Sequence, residues 1–144
     1  MKLQILLTGQ CSIHWGRMEF GNIGNYYILE PLLENIKLKY SNSIIYSTLQ
    51  ISDKLCKKYN IILLPLEYYY SFNNIDNNLK NKLIELEYSR NYKNNKYCKK
   101  TDFMNYAISS DIIIQFDGDI WGDNADEVGK DRFLCGLYKS IILI

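Results

Sequence analysis

The sequence predicts an α/β domain in which a parallel sheet is flanked by helices. Short apolar runs alternate along the chain with segments of helical periodicity, which is the pattern of strand–helix–strand units. The apolar runs are nearly continuous, as in strands that are buried on both faces. The length of 144 residues and the apolar fraction of 47% suit one domain with a sizeable core. We therefore expect residues 1–144 to form a single domain.

Five segments are expected to be strands. They are apolar, or rich in β-branched and aromatic residues, and turn residues bound most of them. They comprise residues 3–7, 43–49, 61–66, 111–116 and 141–144. The last run reaches Ile144 without a terminating turn. We expect from this a domain truncated before a second, C-terminal domain, although a short edge strand closing the sheet would give the same pattern.

Five segments between these strands are expected to be helices. In the first, residues 26–40, apolar residues recur at the spacing of one helix face, and Pro31 predicts a bend near its start. Ser52 is the expected N-cap of a short helix through residue 59. Residues 75–86, 103–108 and 126–139 are the remaining helices, the second of them capped by Thr101 and Asp102. The polar segment 91–99 is expected to be a surface loop.

Composition and charge exclude several classes of protein. A net charge of +1, with lysines mixed among acids, predicts no nucleic-acid partner and no attraction to an anionic membrane. The four cysteines are far apart, which favours reduced thiols over a disulfide framework. No segment approaches the roughly 18 apolar residues of a membrane span. We expect a cytoplasmic protein with no transmembrane segment.

Two loops are the candidate binding segments. Residues 9–25 follow the first expected strand, and residues 117–124 follow the fourth. In parallel α/β sheets, ligands bind outside the carboxyl ends of the strands, so the two loops predict one shared site. The first loop ends in a glycine turn that feeds a helix N-terminus, where backbone N–H groups and the helix dipole favour an anion.

Candidate catalytic residues lie in the first loop. His14, the only histidine, has the chemistry of a general acid or base, although an ordinary surface or packing histidine is the alternative. Arg17 could bind a phosphate or carboxylate through two hydrogen bonds, and a solvated loop arginine is its alternative.

The second loop is acidic. Asp117, Asp119, Asp123 and Asp126 could bind a hard cation, although their spacing does not fit an EF-hand. Asp117-Gly118-Asp119 also resembles the D-x-D with which metal-dependent glycosyltransferases hold nucleotide-sugar phosphates. The structural alternative is that these residues shape a turn and cap the next helix.

Taken together, the two loops resemble those of the polysaccharide pyruvyl transferase family. Members have a G-x-x-N-x-G-D turn that opens a helix, and later a strand that enters a loop rich in glycine and aspartate. The first motif corresponds here to Phe20-Gly21-Asn22-Ile23-Gly24-Asn25, with Asn25 where the family usually has Asp. The second corresponds to residues 110–123, with Asp117-Gly118 where the family more often has two glycines. The similarity covers the N-terminal half of a typical member.

This resemblance implies a glycosyltransferase-B-like fold, of which the chain would be one Rossmann-like domain. It implies transfer of a pyruvyl group from phosphoenolpyruvate to a sugar of a cell-surface polysaccharide, with no cofactor and no bound metal. The partners would be phosphoenolpyruvate, a sugar or glycan acceptor, and a separate chain that carries the C-terminal half.

The expected site residues follow from the loops and the resemblance together. His14 and Arg17 are the catalytic candidates, and the substrate-binding candidates are Gly21, Asn22, Gly24, Asn25, Asp117, Gly118 and Asp119. Two alternatives stay open at this point. One is a metal-dependent glycosyltransferase that uses a nucleotide sugar, and the other is a non-catalytic remnant binding domain.

Overall fold

A computed structural model describes residues 2–8, 23–49, 51–65, 87–88, 90–92, 94–97, 100, 102–116 and 141–143. The helices and strands follow in chain order. They are β1 (Gln4–Thr8), α1 (Ile23–Lys39), β2 (Ile44–Ser47), α2 (Asp53–Tyr59), β3 (Ile61–Leu63), α3 (Asp102–Ser109), β4 (Ile112–Gln115) and β5 (Ile141–Leu143).

The strands form one sheet in the order β3-β2-β1-β4-β5, and every neighbouring pair is parallel. The predicted α/β arrangement with a parallel sheet is therefore confirmed. The central strand β1 is fully covered, since Ile5, Leu6 and Leu7 are all 0% exposed. Burial of both faces explains why its sequence is apolar without alternation.

The order of the strands determines which face each helix covers. The chain moves from β1 to β2 to β3 in one direction, and β4 then lies on the other side of β1. Right-handed crossovers therefore put α1 and α2 on one face and α3 on the opposite face. The Tyr46 ring on β2 lies 5.1 Å from the Tyr106 ring on α3, measured between centroids, so α3 covers the face to which Tyr46 belongs.

Helix α1 confirms the periodicity read from the sequence, although it begins earlier than predicted. Leu29, Leu33 and Ile36 are buried on its inner side. Its first residue is Ile23 instead of Tyr26, so the expected glycine turn overlaps the first helical turn. Pro31 lies inside the helix, where it has no N–H to donate to the carbonyl four residues earlier. The bend expected there stays a prediction.

The predicted cap of α2 is confirmed in detail. Ser52 is the N-cap, and its hydroxyl oxygen accepts a hydrogen bond of 3.3 Å from the Leu55 amide. At the other end, Asn60 adopts a left-handed conformation with φ of 56° and ends the helix. Leu55 is buried and Cys56 is half-buried, so both contact the core as expected.

Helix α3 and strand β4 also agree with the sequence patterns. Phe103, Met104 and Ala107 are buried on α3. Asp102, expected as part of the cap, is the first residue of the helix, and Thr101 lies outside the described residues. Strand β4 occupies residues 112–115, inside the predicted segment 111–116.

Two predictions are corrected by the structure. Strand β3 was expected to be buried through residue 66, but it ends at Leu63, lies at the edge of the sheet and leaves Ile62 46% exposed. In a strand with only one neighbouring strand, fewer side chains are covered by the rest of the protein. The hydrophobicity of the segment does not reveal that the strand lies at the edge of the sheet.

The second correction concerns segment 91–99, which begins in a helix instead of a loop. Residues 90–92 are helical, and Asn95 then takes a left-handed conformation with φ of 55°. The Lys96 amide donates to the Asn91 carbonyl at 2.8 Å, which is the hydrogen bond of a Schellman helix end. Residues 94–97 after that helix end are exposed, as predicted.

The final apolar run pairs with the sheet. Residues 141–143 form β5, which is parallel to β4 and lies at the edge opposite β3. The helices expected at residues 75–86 and 126–139 lie outside the described residues. Among the helices that are described, none combines the length and the apolar character needed to cross a bilayer.

Candidate functional site

The strand order creates a switch point between β1 and β4. The connection after β1 leads to β2 on one side, whereas β4 pairs with β1 on the other side. At such a point the two connections diverge from adjacent strand ends and leave a crevice, where open α/β sheets bind their ligands. The geometry therefore singles out the carboxyl ends of β1 and β4 as the candidate site.

The ends of these two strands are joined directly. The Phe116 amide donates to the Thr8 carbonyl at 2.7 Å, and Thr8 is in register with Gln115. The two candidate loops begin at the next residues of the chain, 9 and 117. The described residues that immediately precede the two loops, Thr8 and Phe116, are thus neighbours, which is what one shared site requires.

Buried polar side chains lie along this edge of the sheet. We call Gln115, Thr8 and Thr48 the polar row, because neighbouring strands bring them side by side on one face. Thr8 pairs with Gln115, and Thr48 follows Ser47, the partner of Leu7. Thr8 and Thr48 are 0% exposed and Gln115 is 1% exposed. The Thr48 hydroxyl donates to the Thr8 hydroxyl at 3.2 Å, so two members of the row are hydrogen-bonded to each other.

The end of β2 is shaped by a second hydroxyl. Ser47 points to the opposite face from Thr48, because successive side chains of a strand alternate. Its hydroxyl oxygen accepts a hydrogen bond of 3.1 Å from the Leu49 amide, two residues ahead. Such a local bond turns the backbone where the strand ends. The Thr48 amide still donates to the Leu7 carbonyl at 3.1 Å, so Thr48 stays attached to β1.

The predicted glycine turn is described in part. Gly24 is exposed in the first turn of α1, and the backbone of Asn25 lies in the same turn. The first four N–H groups of a helix have no partner within the helix, so these amides are suited to an anion. The described first turn of α1 contains no acidic residue that would repel one.

The remaining predicted site residues lie outside the part of the chain that the structure describes. They are His14, Arg17, Gly21, Asn22, Asp117, Gly118 and Asp119, together with the side chain of Asn25. Within the described ranges, no group of three or more His, Cys, Asp or Glu side chains could hold a metal ion.

A second polar group lies between α1 and α2, away from the strand ends. We call Glu30, Glu34, Lys58 and Tyr59 the helix-pair cluster. The Lys58 ammonium is 3.1 Å from Glu30 and 3.4 Å from Glu34. The Tyr59 hydroxyl donates to the same two carboxylates, at 3.5 and 3.3 Å. The cluster joins the two helices on one face of the sheet.

Hydrogen bonding and burial shift the pKa values of three residues in this cluster. A hydrogen bond from the Tyr26 hydroxyl, followed by the one from Lys58, lowers the pKa of Glu30. The Tyr59 hydroxyl and the Glu30 carboxylate raise the pKa of Lys58. Burial raises the pKa of Tyr59. The lowered pKa of Glu30 and the raised pKa of Lys58 preserve the charge states in which these two side chains attract each other, and the raised pKa of Tyr59 keeps its hydroxyl protonated.

Sequence reasoning missed the polar row, although a signal for it was present. Thr8 was treated as the boundary of the first predicted strand, whereas Thr48 and Gln115 were included in the predicted strands 43–49 and 111–116 without a role for their side chains. Thr8, Thr48 and Gln115 each stand at or next to the carboxyl end of a predicted strand. The topology was needed to show that these three ends are neighbours in the sheet.

The fold and this edge define an α/β protein with a parallel sheet and a topological switch point between β1 and β4. No protein-family model, no curated protein and no solved structure matches the chain.

Proposed function

We propose that the protein is a polysaccharide pyruvyl transferase-like enzyme, whose substrate site lies at the carboxyl ends of β1 and β4. The observation that supports this most directly is the hydrogen bond of 2.7 Å from the Phe116 amide to the Thr8 carbonyl. It joins the two residues that immediately precede the loops carrying the family resemblance. Without this adjacency, the two motifs would have no reason to act together.

The chemistry of the transfer assigns a role to each candidate. Two hydroxyls of the acceptor sugar form bonds to the central carbon of phosphoenolpyruvate, and the bond from that carbon to the phosphate oxygen breaks. One hydroxyl proton is transferred to the methylene carbon, which becomes a methyl group, and the other leaves with phosphate. His14 is the candidate for proton transfer.

The first loop and the helix that follows it are the proposed anion-binding segments. Arg17 is the candidate that holds the phosphate or the carboxylate of phosphoenolpyruvate. The backbone N–H groups of Gly24 and Asn25 in the first turn of α1 would add uncharged donors. Gly21 and Asn22 precede this turn, and Asp117, Gly118 and Asp119 would contribute from the second loop. Phosphoenolpyruvate offers a carboxylate and a phosphate to the proposed N–H donors of Arg17, Gly24 and Asn25.

The test is an assay of phosphate release. The purified chain, alone and together with a chain carrying the C-terminal half of a family member, is incubated with phosphoenolpyruvate and sugar acceptors. We expect phosphate release that depends on the acceptor, with a ketal product visible by mass spectrometry. Arg17→Ala should reduce the rate at least tenfold, since a charge-assisted hydrogen bond is worth about 1.5–3 kcal/mol.

Arg90→Ala removes an exposed arginine that is far along the chain from both loops, and it should leave the rate unchanged. No acceptor-dependent release of phosphate from the chain, alone or in the reconstituted pair, would rule out the proposal.

One observation favours a second function, that of a metal-dependent glycosyltransferase. The Phe116 amide donates to the Thr8 carbonyl at the end of β1, and Asp117-Gly118-Asp119 is the D-x-D segment that follows Phe116 in the sequence. Carboxylates there could bind Mn²⁺ and, through it, the phosphates of a nucleotide sugar. Manganese-dependent binding of a nucleotide sugar that Asp119→Ala abolishes would favour this function over pyruvyl transfer. The third class, a non-catalytic binding domain, predicts turnover with neither set of substrates.

A further inference from the structure

The polar row differs from the rest of its sheet face. One step earlier along the same strands, Leu6 on β1 is in register with Ile113 on β4, and both are 0% exposed. A buried hydroxyl or amide stabilises a sheet less than an aliphatic side chain, because it loses its bonds to water. Stability alone would thus favour Val or Ile at positions 8, 48 and 115. Thr8 and Gln115 are the last residues of β1 and β4, and Thr48 is the first residue after β2.

Two hydrogen bonds of Thr8, one of its side chain and one of its backbone, link the ends of three neighbouring strands. Thr48, beyond the end of β2, donates to the Thr8 hydroxyl at 3.2 Å. The carbonyl of the same Thr8 accepts from the Phe116 amide at 2.7 Å. Thr48 has no direct bond to Phe116 among the described contacts, so it reaches β4 through Thr8. One residue on β1 therefore connects both neighbouring strands at the switch point.

We propose that Thr48 is a positioning residue for the substrate site at the switch point. Its hydroxyl holds the Thr8 side chain, and Thr8 in turn holds the end of β4 from which the second loop begins. This inference rests on the proposed function for the identity of the ligand, but not for the effect of Thr48 on the strand ends. A hydroxyl is suited to this task because it can donate one bond while accepting others.

The experiment measures the Phe116 amide in three variants. Thr48→Val keeps the shape of the side chain and removes its hydroxyl. Thr48→Ser keeps the hydroxyl and removes a methyl group. Ser43→Ala is the matched control, since Ser43 precedes the opposite end of β2, is 1% exposed and has no hydrogen-bond partner for its hydroxyl among the described residues. Amide hydrogen exchange is followed by NMR at Phe116 and, for reference, at Leu33 in α1.

We expect Thr48→Val to accelerate exchange at Phe116 by about tenfold relative to Leu33, the change typical of losing one hydrogen bond of ordinary strength. Thr48→Ser should restore slow exchange, and Ser43→Ala should have no effect at Phe116. Unchanged exchange at Phe116 in Thr48→Val would overturn the proposal. So would equal acceleration by Ser43→Ala or at Leu33, because loss of stability alone would then explain the result.

Titration with phosphoenolpyruvate separates this inference from the proposed function. We expect the dissociation constant to rise about tenfold in Thr48→Val and to return toward that of the wild type in Thr48→Ser. If the wild type binds phosphoenolpyruvate and Thr48→Val binds it equally well, the positioning role is wrong and the function stands. If the wild type binds it neither alone nor in the reconstituted pair, but exchange at Phe116 still responds to Thr48→Val, the function is wrong and the positioning of the strand ends stands. Should Thr48→Val fail to fold, Thr48→Ala gives the same two measurements.

Discussion

The polar row and the helix-pair cluster use polar side chains in opposite ways. The row consists of uncharged groups with at most 1% exposure, whereas Lys58 and Glu30 in the cluster have side chains that are 48% and 29% exposed. A buried hydroxyl that loses its partner has no water to replace it, but a half-exposed ammonium or carboxylate does. The buried row should therefore tolerate far less change than the cluster, even though it carries no charge.

The sharpest way to test this difference is to remove one hydroxyl of the row. Thr8→Val deletes the acceptor of the Thr48 hydrogen bond and leaves the Thr48 hydroxyl buried without it. We expect a loss of about 1–3 kcal/mol in the free energy of unfolding, measured by urea denaturation.

The double variant Thr8→Val/Thr48→Val should be more stable than Thr8→Val alone. Replacing both partners by apolar groups of the same shape leaves no buried hydroxyl without a partner. The second substitution should therefore restore part of the free energy of unfolding that the first one removed. Strictly additive losses would show that the two hydroxyls are not coupled. Ser43→Ala should change the free energy of unfolding little, because that hydroxyl has no bond to lose among the described residues.

The difference between the two regions also explains which features of the structure could be predicted from the sequence. Burial of an apolar stripe leaves a periodic pattern, and the helix face of Leu29, Leu33 and Ile36 was predicted from it. A helix cap can be predicted from a short stretch of sequence, because the capping residue Ser52 lies only three residues before Leu55, whose amide it binds. The parallel sheet followed from the order of these elements. Each of these features is determined by residues that are close in the sequence.

The polar row could not be predicted because its members are far apart in the sequence. Thr8 and Thr48 are separated by 40 residues, and only the pairing of β1 with β2 brings their hydroxyls together. The edge position of β3 has the same cause, since a strand's own sequence does not state how many neighbours it has. The loop residues that carry the family resemblance remain sequence predictions, whereas the adjacency of the strand ends where those loops begin is a structural finding.

A change of intermediate size is expected when the cation of the helix-pair cluster is removed. Lys58→Met takes away the ammonium that Glu30 and Glu34 share, and leaves the two carboxylates one helical turn apart. Like charges at this spacing repel each other weakly. We expect a lower Tm than in the wild type, with a decrease smaller than that caused by Thr8→Val. Lys57→Met is the matched control on the exposed side of α2, and an equal decrease there would assign the effect to net charge instead of the cluster.

The smallest effect is expected in the pH dependence of stability, through Glu30. Its pKa is lowered in the folded protein, chiefly by the Tyr26 hydroxyl and then by Lys58. A carboxylate with a lowered pKa stabilises the fold above its unfolded pKa of about 4.3, and this stabilisation is lost as the pH falls through the folded value. Glu30→Gln should therefore lower Tm by on the order of 1–2 °C at pH 7.

The same mechanism predicts that this difference in Tm shrinks as the pH is lowered below about 4.3 and vanishes once Glu30 is protonated in both folded and unfolded chains. Tyr26→Phe should weaken the pH dependence more than Lys58→Met does, because the tyrosine hydrogen bond is the larger cause of the shift. Thermal unfolding between pH 3 and pH 7, followed by circular dichroism, measures all three variants. A Tm difference for Glu30→Gln that persists unchanged at the lowest pH would mean that packing, and not the carboxylate charge, is what the substitution removes. In that case the helix-pair cluster would resemble the uncharged polar row, and the distinction between the two regions would fail.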